Sequence, residues 1–465
     1  MKVYDSYTTY ASLWNKSFPS HWEVLHIFAV AKEKSTCNCV DLQLLSVYLD
    51  SGVIPFSDKA EKRTNVTSQD LSKYQRVDNG DFVLNNQQAW RGSVGISFHT
   101  GIVSPAYIVL SMSELLNSKY ANYLLRSRIM VDQYLVNSKS VGSIQRNIYW
   151  ATLKRTRIIV PPRAEQDQIV RFLDWKVSEI NRLIRIQKKE IHEFNHLKNN
   201  IISSAVTKGL RDEATISTGN KYYPDVPDGW QITKTLRVLT QPLTDGPHTT
   251  PELFDEGIPF VSAEAVSQGN GRIDFNHIRG YISQEFYDEC CKKYIPQIDD
   301  VYMIKSGATT GRVAIVDTDR VFTIWSPLAV FRCNKSIMLP KFLFYALQAL
   351  PYQQEVQDGW SYGTQQNIGM RVIEQLKIAY PDTEEQTVIV QYLDDICAKI
   401  EGAIKKLEEK ITNLQDLKVR LVADAVTGKI DVRGIEIPEY EYVDDDADGD
   451  AEGVEDDENT EEQEE

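Results

Sequence analysis

One segment of this 465-residue chain is written twice, and that duplication limits the possible folds more than any other feature. Residues 161–209 recur at 381–429, 220 positions later (381 − 161), without a gap. Pro161, Glu165, Gln166, Leu173, Asp174 and Lys198 return as Pro381, Glu385, Gln386, Leu393, Asp394 and Lys418, and Ala205-Val206-Thr207 returns as Ala425-Val426-Thr427. Alternate steps of four and three through the first copy select Leu173, Val177, Ile180, Ile184, Gln187, Ile191, Phe194, Lys198, Ile201 and Ala205, a heptad seam. The same steps through the second copy give the same seam, with the same lysine interruption at Lys418. Proline precedes each copy, a carboxylate falls in its first turn, and glycine follows at Gly209 and Gly428. Each copy therefore predicts one helix of about 43 residues, about 65 Å long at 1.5 Å per residue. Neither could bury its stripe alone, so the two are expected to pack on each other, and a twofold relation between duplicated halves would make the pair antiparallel.

The regions before the helices repeat more faintly. Each opens with Pro-x-x-Trp, at Pro19 to Trp22 and Pro227 to Trp230. Each then has a turn and an apolar run, Asn79-Gly80-Asp81-Phe82-Val83-Leu84 and Asp299-Asp300-Val301-Tyr302-Met303-Ile304. A polar Gly-containing loop and a Ser-Pro before another strand follow, at Ser104-Pro105 and Ser326-Pro327, and the offset locks again where Gln145-Arg146-Asn147-Ile148 aligns with Gln365-Gln366-Asn367-Ile368. The expected organisation is a first domain over 1–160, a helix over 161–209, a linker over 210–222, a second domain over 223–380, a helix over 381–432 and an acidic disordered tail over 433–465. The fold class expected is α/β (α+β): two mixed α/β domains separated by an antiparallel two-helix coiled coil, a pseudo-twofold tandem duplication.

The formal net charge of −15 belongs to one end of the sequence. Residues 439–465 hold 16 acidic side chains and no basic ones, so the remainder has 51 basic against 66 − 16 = 50 acidic groups. A balanced body permits a local basic face toward nucleic acid without requiring one. No apolar run approaches the roughly 20 residues that span a bilayer. The N-terminal residues lack a signal-peptide core, and six cysteines without Cys-x-x-Cys spacing suit a reducing compartment. A cytoplasmic protein with no membrane partner is expected.

With these features in place, the sequence resembles the specificity subunit of type I restriction-modification enzymes over nearly the whole chain outside the acidic tail. The carriers are Pro161-Pro162-Arg163-Ala164-Glu165-Gln166 with Glu385-Gln386, the two Ala-Val-Thr helix ends, Asp245-Gly246-Pro247-His248-Thr249-Thr250-Pro251 with Gly257-Ile258-Pro259-Phe260, and Gly363-Thr364-Gln365-Gln366-Asn367-Ile368. The resemblance implies two target recognition domains, each reading one half of a split double-stranded DNA site, with the helices setting the spacer and docking other subunits. It implies no catalytic centre and no cofactor in this chain. Two modification subunits would methylate adenine with S-adenosylmethionine, and restriction subunits would translocate and cut DNA with ATP and Mg2+.

Side chains that read base edges are Gln, Asn, Arg, Lys, Ser and Thr near aromatics. The candidates are Gln87, Gln88, Arg91, Gln145, Arg146 and Asn147 in the first domain, and His248, Thr249, Lys305, Thr309, Arg312, Gln365, Gln366 and Asn367 in the second. The first domain departs from the pattern: it has Lys34-Ser35-Thr36-Cys37-Asn38 where the second has Asp245 to Pro251, and one extra residue in Gly142 to Asn147. The competing class is a coiled-coil protein-interaction scaffold without DNA specificity. A third, a metal-dependent hydrolase, rests on His192-Glu193-Phe194-Asn195-His196, whose duplicate positions carry Thr412, Asn413 and Asp416. Asp444 to Glu455 fits a calcium-loop spacing, as a very acidic stretch does by chance. No metal site is expected from either.

Overall fold

The computed structural model describes residues 2–10, 17–59, 70–141, 145–211, 214–362 and 366–444. Gln365, the calcium-like spacing beyond Asp444 and the acidic residues 445–465 lie outside the described residues. The chain forms two compact units, one from residues up to Lys189 together with those from Glu408 onward, the other from Glu190–Leu407.

Both cuts fall inside the duplicated segments, each of which is a single helix, Arg163–Lys208 and Thr383–Val426. Each unit thus holds the start of one long helix and the end of the other. In the first unit Ile169, Leu173, Ile180 and Ile184 share a core with Leu421, Ala425 and Val426. In the second, Ile202, Ala205 and Val206 share one with Ile389, Leu393 and Cys397. Start packs on end in both, so the expected antiparallel pairing is present. The seam lysines report its register: Lys418 Nζ donates to Asn181 Oδ1 at 3.2 Å, and Lys198 Nζ to Glu401 Oε1 at 3.4 Å. Positions 181 and 401 are duplicates, as are 198 and 418, so this is one contact made twice.

The domain of the first unit is built on β1 (Glu23–His26), β2 (Ala31–Lys34), β3 (Phe82–Asn85), β4 (Val94–Ile96), β5 (Tyr107–Met112) and β6 (Arg157–Val160). That of the second uses β7 (Gln231–Lys234), β8 (Thr244–Asp245), β9 (Val301–Ile304), β10 (Val313–Ile315), β11 (Leu328–Phe331) and β12 (Lys377–Tyr380). The four-stranded sheets run β2-β5-β3-β4 and β8-β11-β9-β10, both antiparallel, and β1 pairs with β6 as β7 pairs with β12. The apolar runs that follow the two turns become the central strands β3 and β9, covered on both faces. A buried carboxylate sits at the head of each. Asp300 takes Nε and Nη2 of Arg332 at 2.7 Å each, which holds that guanidinium above its ordinary pKa. Asp81 is met by Lys34 at 2.6 Å; burial pulls the Lys34 ammonium down, but its bonds to Asp78 and Asp81 outweigh that and raise it.

The same side chains fasten each domain to its long helices. Gln166, wholly inside, gives its amide hydrogens to the carbonyls of Pro161 and Leu115 at 2.9 and 3.0 Å and accepts from Asn117 N at 2.8 Å. Gln386 does likewise with Pro381, Ile337 and Leu339 at 2.9, 2.8 and 2.8 Å. One turn pair further on, Lys119 and Tyr123 of α1 (Ser118–Arg126) bond Asp174, and Lys341 and Tyr345 of α2 (Pro340–Gln348) bond Asp394. The Pro-x-x-Trp motifs receive the helix ends. Gly428, at φ 72°, lies so close that a Cβ would come within 2.3 Å of Pro19, and Gly209, also at φ 72°, packs on Trp230.

Three expected boundaries differ, the first being the second long helix, which stops at Val426 and not at 432 because Gly428 turns the chain at φ 72°. Within 210–222, Thr215–Ser217 forms a strand paired with Asp225–Pro227, so this stretch belongs to the second domain. Residues 433–444 are not tail: Ile435 and Ile437 pack on the first core, and Gln168 Nε2 donates to the carbonyls of Val432 and Ile435. Averaging their composition with the acidic stretch hides these apolar positions. Among the described residues no helix is long and apolar enough to cross a membrane.

Replacing Gln386 by alanine takes the side-chain partner from the half-buried N–H of Leu339 and from the Pro381 and Ile337 carbonyls. We expect Gln386→Ala to lower stability by about 1–3 kcal/mol or more, read as a shifted urea midpoint of the second unit, with Gln166→Ala doing the same to the first.

Candidate nucleic-acid interface

In the first unit the polar stretch Asn85 to Arg91 leaves the central strand β3. The Asn85 side chain accepts from Gln87 N at 3.1 Å, and Ala89–Arg91 make one 3-10 turn that stops at Gly92, φ 113°. Trp90 Nε1 donates to the Gln87 carbonyl at 2.9 Å, which ties the indole to its own loop. The guanidinium of Arg91 stands 4.9 Å from its ring centre and that of Arg146 stands 5.9 Å away. Arg146 comes from the hairpin Ser138–Val141 with Gln145–Ile148. Ile148 N, just after it, donates to the Asn86 carbonyl at 3.2 Å and to Asn86 Oδ1 at 2.9 Å. Asn147 Oδ1 is buried without a hydrogen-bond partner among the described residues. Lys139 sits 4.4 Å above the ring of Tyr149, which is 48% exposed.

The second unit makes the equivalent junction. Ile368 N donates to the Lys305 carbonyl at 2.9 Å, Gly307 N to the Gln366 carbonyl at 3.0 Å, and Ser306 bridges Asn367. Beneath it lies Asp245, its side chain 8% exposed, with Lys305 Nζ at 3.5 Å and His248 Nε2 at 3.4 Å from Oδ2 and Lys293 Nζ bonded to Oδ1. Gly246 explains its place in the Asp-Gly-Pro-His run: a Cβ there would fall 2.0 Å from the Ile324 carbonyl oxygen.

The structure therefore brings Gln87, Gln88, Arg91, Arg146 and Asn147 together, and likewise gathers Lys305, Gln366, Asn367 and the turn residue Thr309. His248 joins through Asp245, with exposed Thr249 next to it. Gln145 lies in the hairpin strand, though only its backbone is described, and Gln365 lies outside the described residues. Arg312 is turned aside, its guanidinium donating to the Ser267 carbonyl at 3.2 Å. Sequence reasoning missed Trp90, the ring that both arginines approach, although it stands next to Arg91 in the sequence. It also missed Lys293, whose chain distance from Asp245 left no signal. Arg279 over Trp325, at 4.8 Å, was likewise not foreseen. His192 and His196 sit Nε2 to Nε2 at 3.0 Å on an exposed helix face, and among the described residues no third His, Cys, Asp or Glu completes a metal-holding group.

Such junctions offer amides, cations and aromatic faces, the chemistry that grips phosphates and reads bases. A family model described as the type I restriction modification DNA specificity domain matches residues 19–193 and 246–413. The chain belongs to this family. The specificity subunit of type I restriction enzyme MjaVIII from Methanocaldococcus jannaschii is 22% identical over 431 residues, 90% of this chain and 95% of that protein. The EcoBI specificity subunit of Escherichia coli is 22% identical over 302 residues, 63% of each. A solved chain from work on complex assembly and conformational transition of the type I R-M system aligns with a TM-score of 0.61 at 18% identity, over 89% of this chain and 99% of that one, so the fold is shared. This type I specificity subunit is a non-catalytic DNA sequence-recognition chain of a restriction-modification assembly. A scaffold without DNA specificity is not favoured.

Gly246→Ala forces a methyl group against backbone. We expect it to cost about 1–3 kcal/mol, seen as a lowered unfolding midpoint, because the atoms in the way are main chain and cannot step aside.

Proposed function

We propose that each domain reads one half of a split DNA site through its junction of polar loop and closing hairpin. In the first, the contacts are Gln87, Gln88, Arg91, Gln145, Arg146 and Asn147. In the second, they are His248, Thr249, Lys305, Thr309, Gln365, Gln366 and Asn367, while Arg312, bonded to the Ser267 carbonyl, drops out of the expected set. The observation that carries this reading is the repeated backbone bond, Ile148 to Asn86 and Ile368 to Lys305, which in both units ties together the two stretches chosen for their base-reading chemistry. The side chains on the two junctions differ, as two different half-sites require. The long helices set the distance between half-sites and dock two methyltransferase subunits. Restriction subunits complete a cytoplasmic assembly that uses S-adenosylmethionine, ATP and Mg2+ in those partners.

Mapping methylated adenines in the host genome tests the reading: a motif in two short parts with a fixed gap is expected, and a continuous motif would refute it. Arg91→Ala or Arg146→Ala should cost about 1–3 kcal/mol in affinity and relax preference in one half only, measured by competition among duplexes altered in either half. Inserting one heptad into each long helix should lengthen the gap and leave both half-sites unchanged in the same mapping.

A further inference from the structure

Within the first unit a groove of about 790 Å³ opens between the recognition domain and the long helices. Seven lysine and arginine side chains line it against three carboxylates. The lining includes Tyr442 and Asp444 as well as Arg91, so the last described residues and the candidate DNA face open on the same space. The second unit has the counterpart, of about 290 Å³, where Lys341, Tyr345, Asp394 and Lys198 stand for Lys119, Tyr123, Asp174 and Lys418.

The two grooves differ in one device. In the first, Ser178 Oγ accepts from Val443 N at 3.2 Å and Asn181 Nδ2 donates to the Val443 carbonyl at 2.9 Å, all of it buried. At the duplicate positions stand Ala398, which has no acceptor to offer, and Glu401, which is held by Lys198. The clasp exists in one copy only, and it pins the backbone one residue before Asp444 enters the basic lining. Beyond Asp444 come 21 residues with thirteen carboxylates and no lysine or arginine. Stretched out, such a segment reaches about 70 Å, ample to follow the groove as far as Arg91.

We propose that the acidic segment 445–465 occupies this groove and competes there with DNA phosphates for the arginines beside the first recognition face. A string of carboxylates tethered at one end presents a high local concentration of negative charge to the same cations that a phosphate backbone would meet. The segment then acts as a built-in competitor: a weakly held, non-specific duplex is turned away, and a duplex with its bases engaged displaces it. The competition rests on the DNA reading given above; the occupancy does not.

Two measurements on the full-length chain and on a form ending at Asp444 test this. A carbodiimide, which joins carboxylates to adjacent amines, should couple residues 445–465 to Lys188 or Lys418 of the groove. Coupling only to lysines elsewhere, or none, overturns the proposal whatever the DNA result. In anisotropy with a random-sequence duplex, the form ending at Asp444 should bind on the order of tenfold more tightly at low salt, and the gain should fade toward roughly 0.5 M salt as screening sets in. Equal affinities at low salt overturn the competition. If neither form binds any duplex, the DNA reading of the interface fails, and the coupling pattern alone decides occupancy.

Discussion

Everything else in this molecule leans on the burial of two heptad seams against each other in opposite directions. A lone amphipathic helix of this length would leave a continuous apolar stripe in water. Paired start to end, Ile180 and Ile184 are covered beside Leu421, and Ile202 and Ala205 beside Leu393. The lysine within each seam is tolerated because its ammonium reaches a polar atom on the facing helix, Asn181 in one unit and Glu401 in the other. A polar residue in an otherwise apolar seam fixes the register, since a slip of one turn would strand the charge among leucines.

From this seam the domains hang by a small set of bonds used twice. The buried glutamines hold the loop ahead of each short helix, and Asp174 and Asp394 collect a lysine and a tyrosine from that helix. These explain why Gln and Asp survive in both copies while most of the sheet residues do not: the bonds serve the joint between domain and helix, and the sheets have only to remain apolar inside. Glu165 shows where the copies part. It collects Tyr4, His21 and Trp22, whereas its duplicate Glu385 is less buried, and the indole nitrogen of Trp230 is buried without a partner among the described residues.

Much of this was legible because it is periodic or repeated. The seam, the starts of both long helices and the paired turns before β3 and β9 follow from local pattern, and the constant offset repeats each of them. The candidate interface was legible in its loops and not in its assembly. Nothing local says that Asn86 meets Ile148, that Lys293 reaches Asp245, or that Arg312 turns toward Ser267, because those contacts are set by strand order across long chain separations. The boundary at 433 failed for a related reason: composition averages over a window, and Ile435, Ile437 and Val443 are bound one at a time.

The division of the long helices between units also orders the birth of the protein. Residues 190–407 form a contiguous stretch and hold every part of the second unit, so it can close as soon as it has left the ribosome. The first unit, although its domain is translated earlier, lacks the strand of helix that covers Ile169 to Ile184 until residues after Glu408 emerge. The half made first is finished last, and its exposed stripe is the surface that a chaperone would meet in the interval.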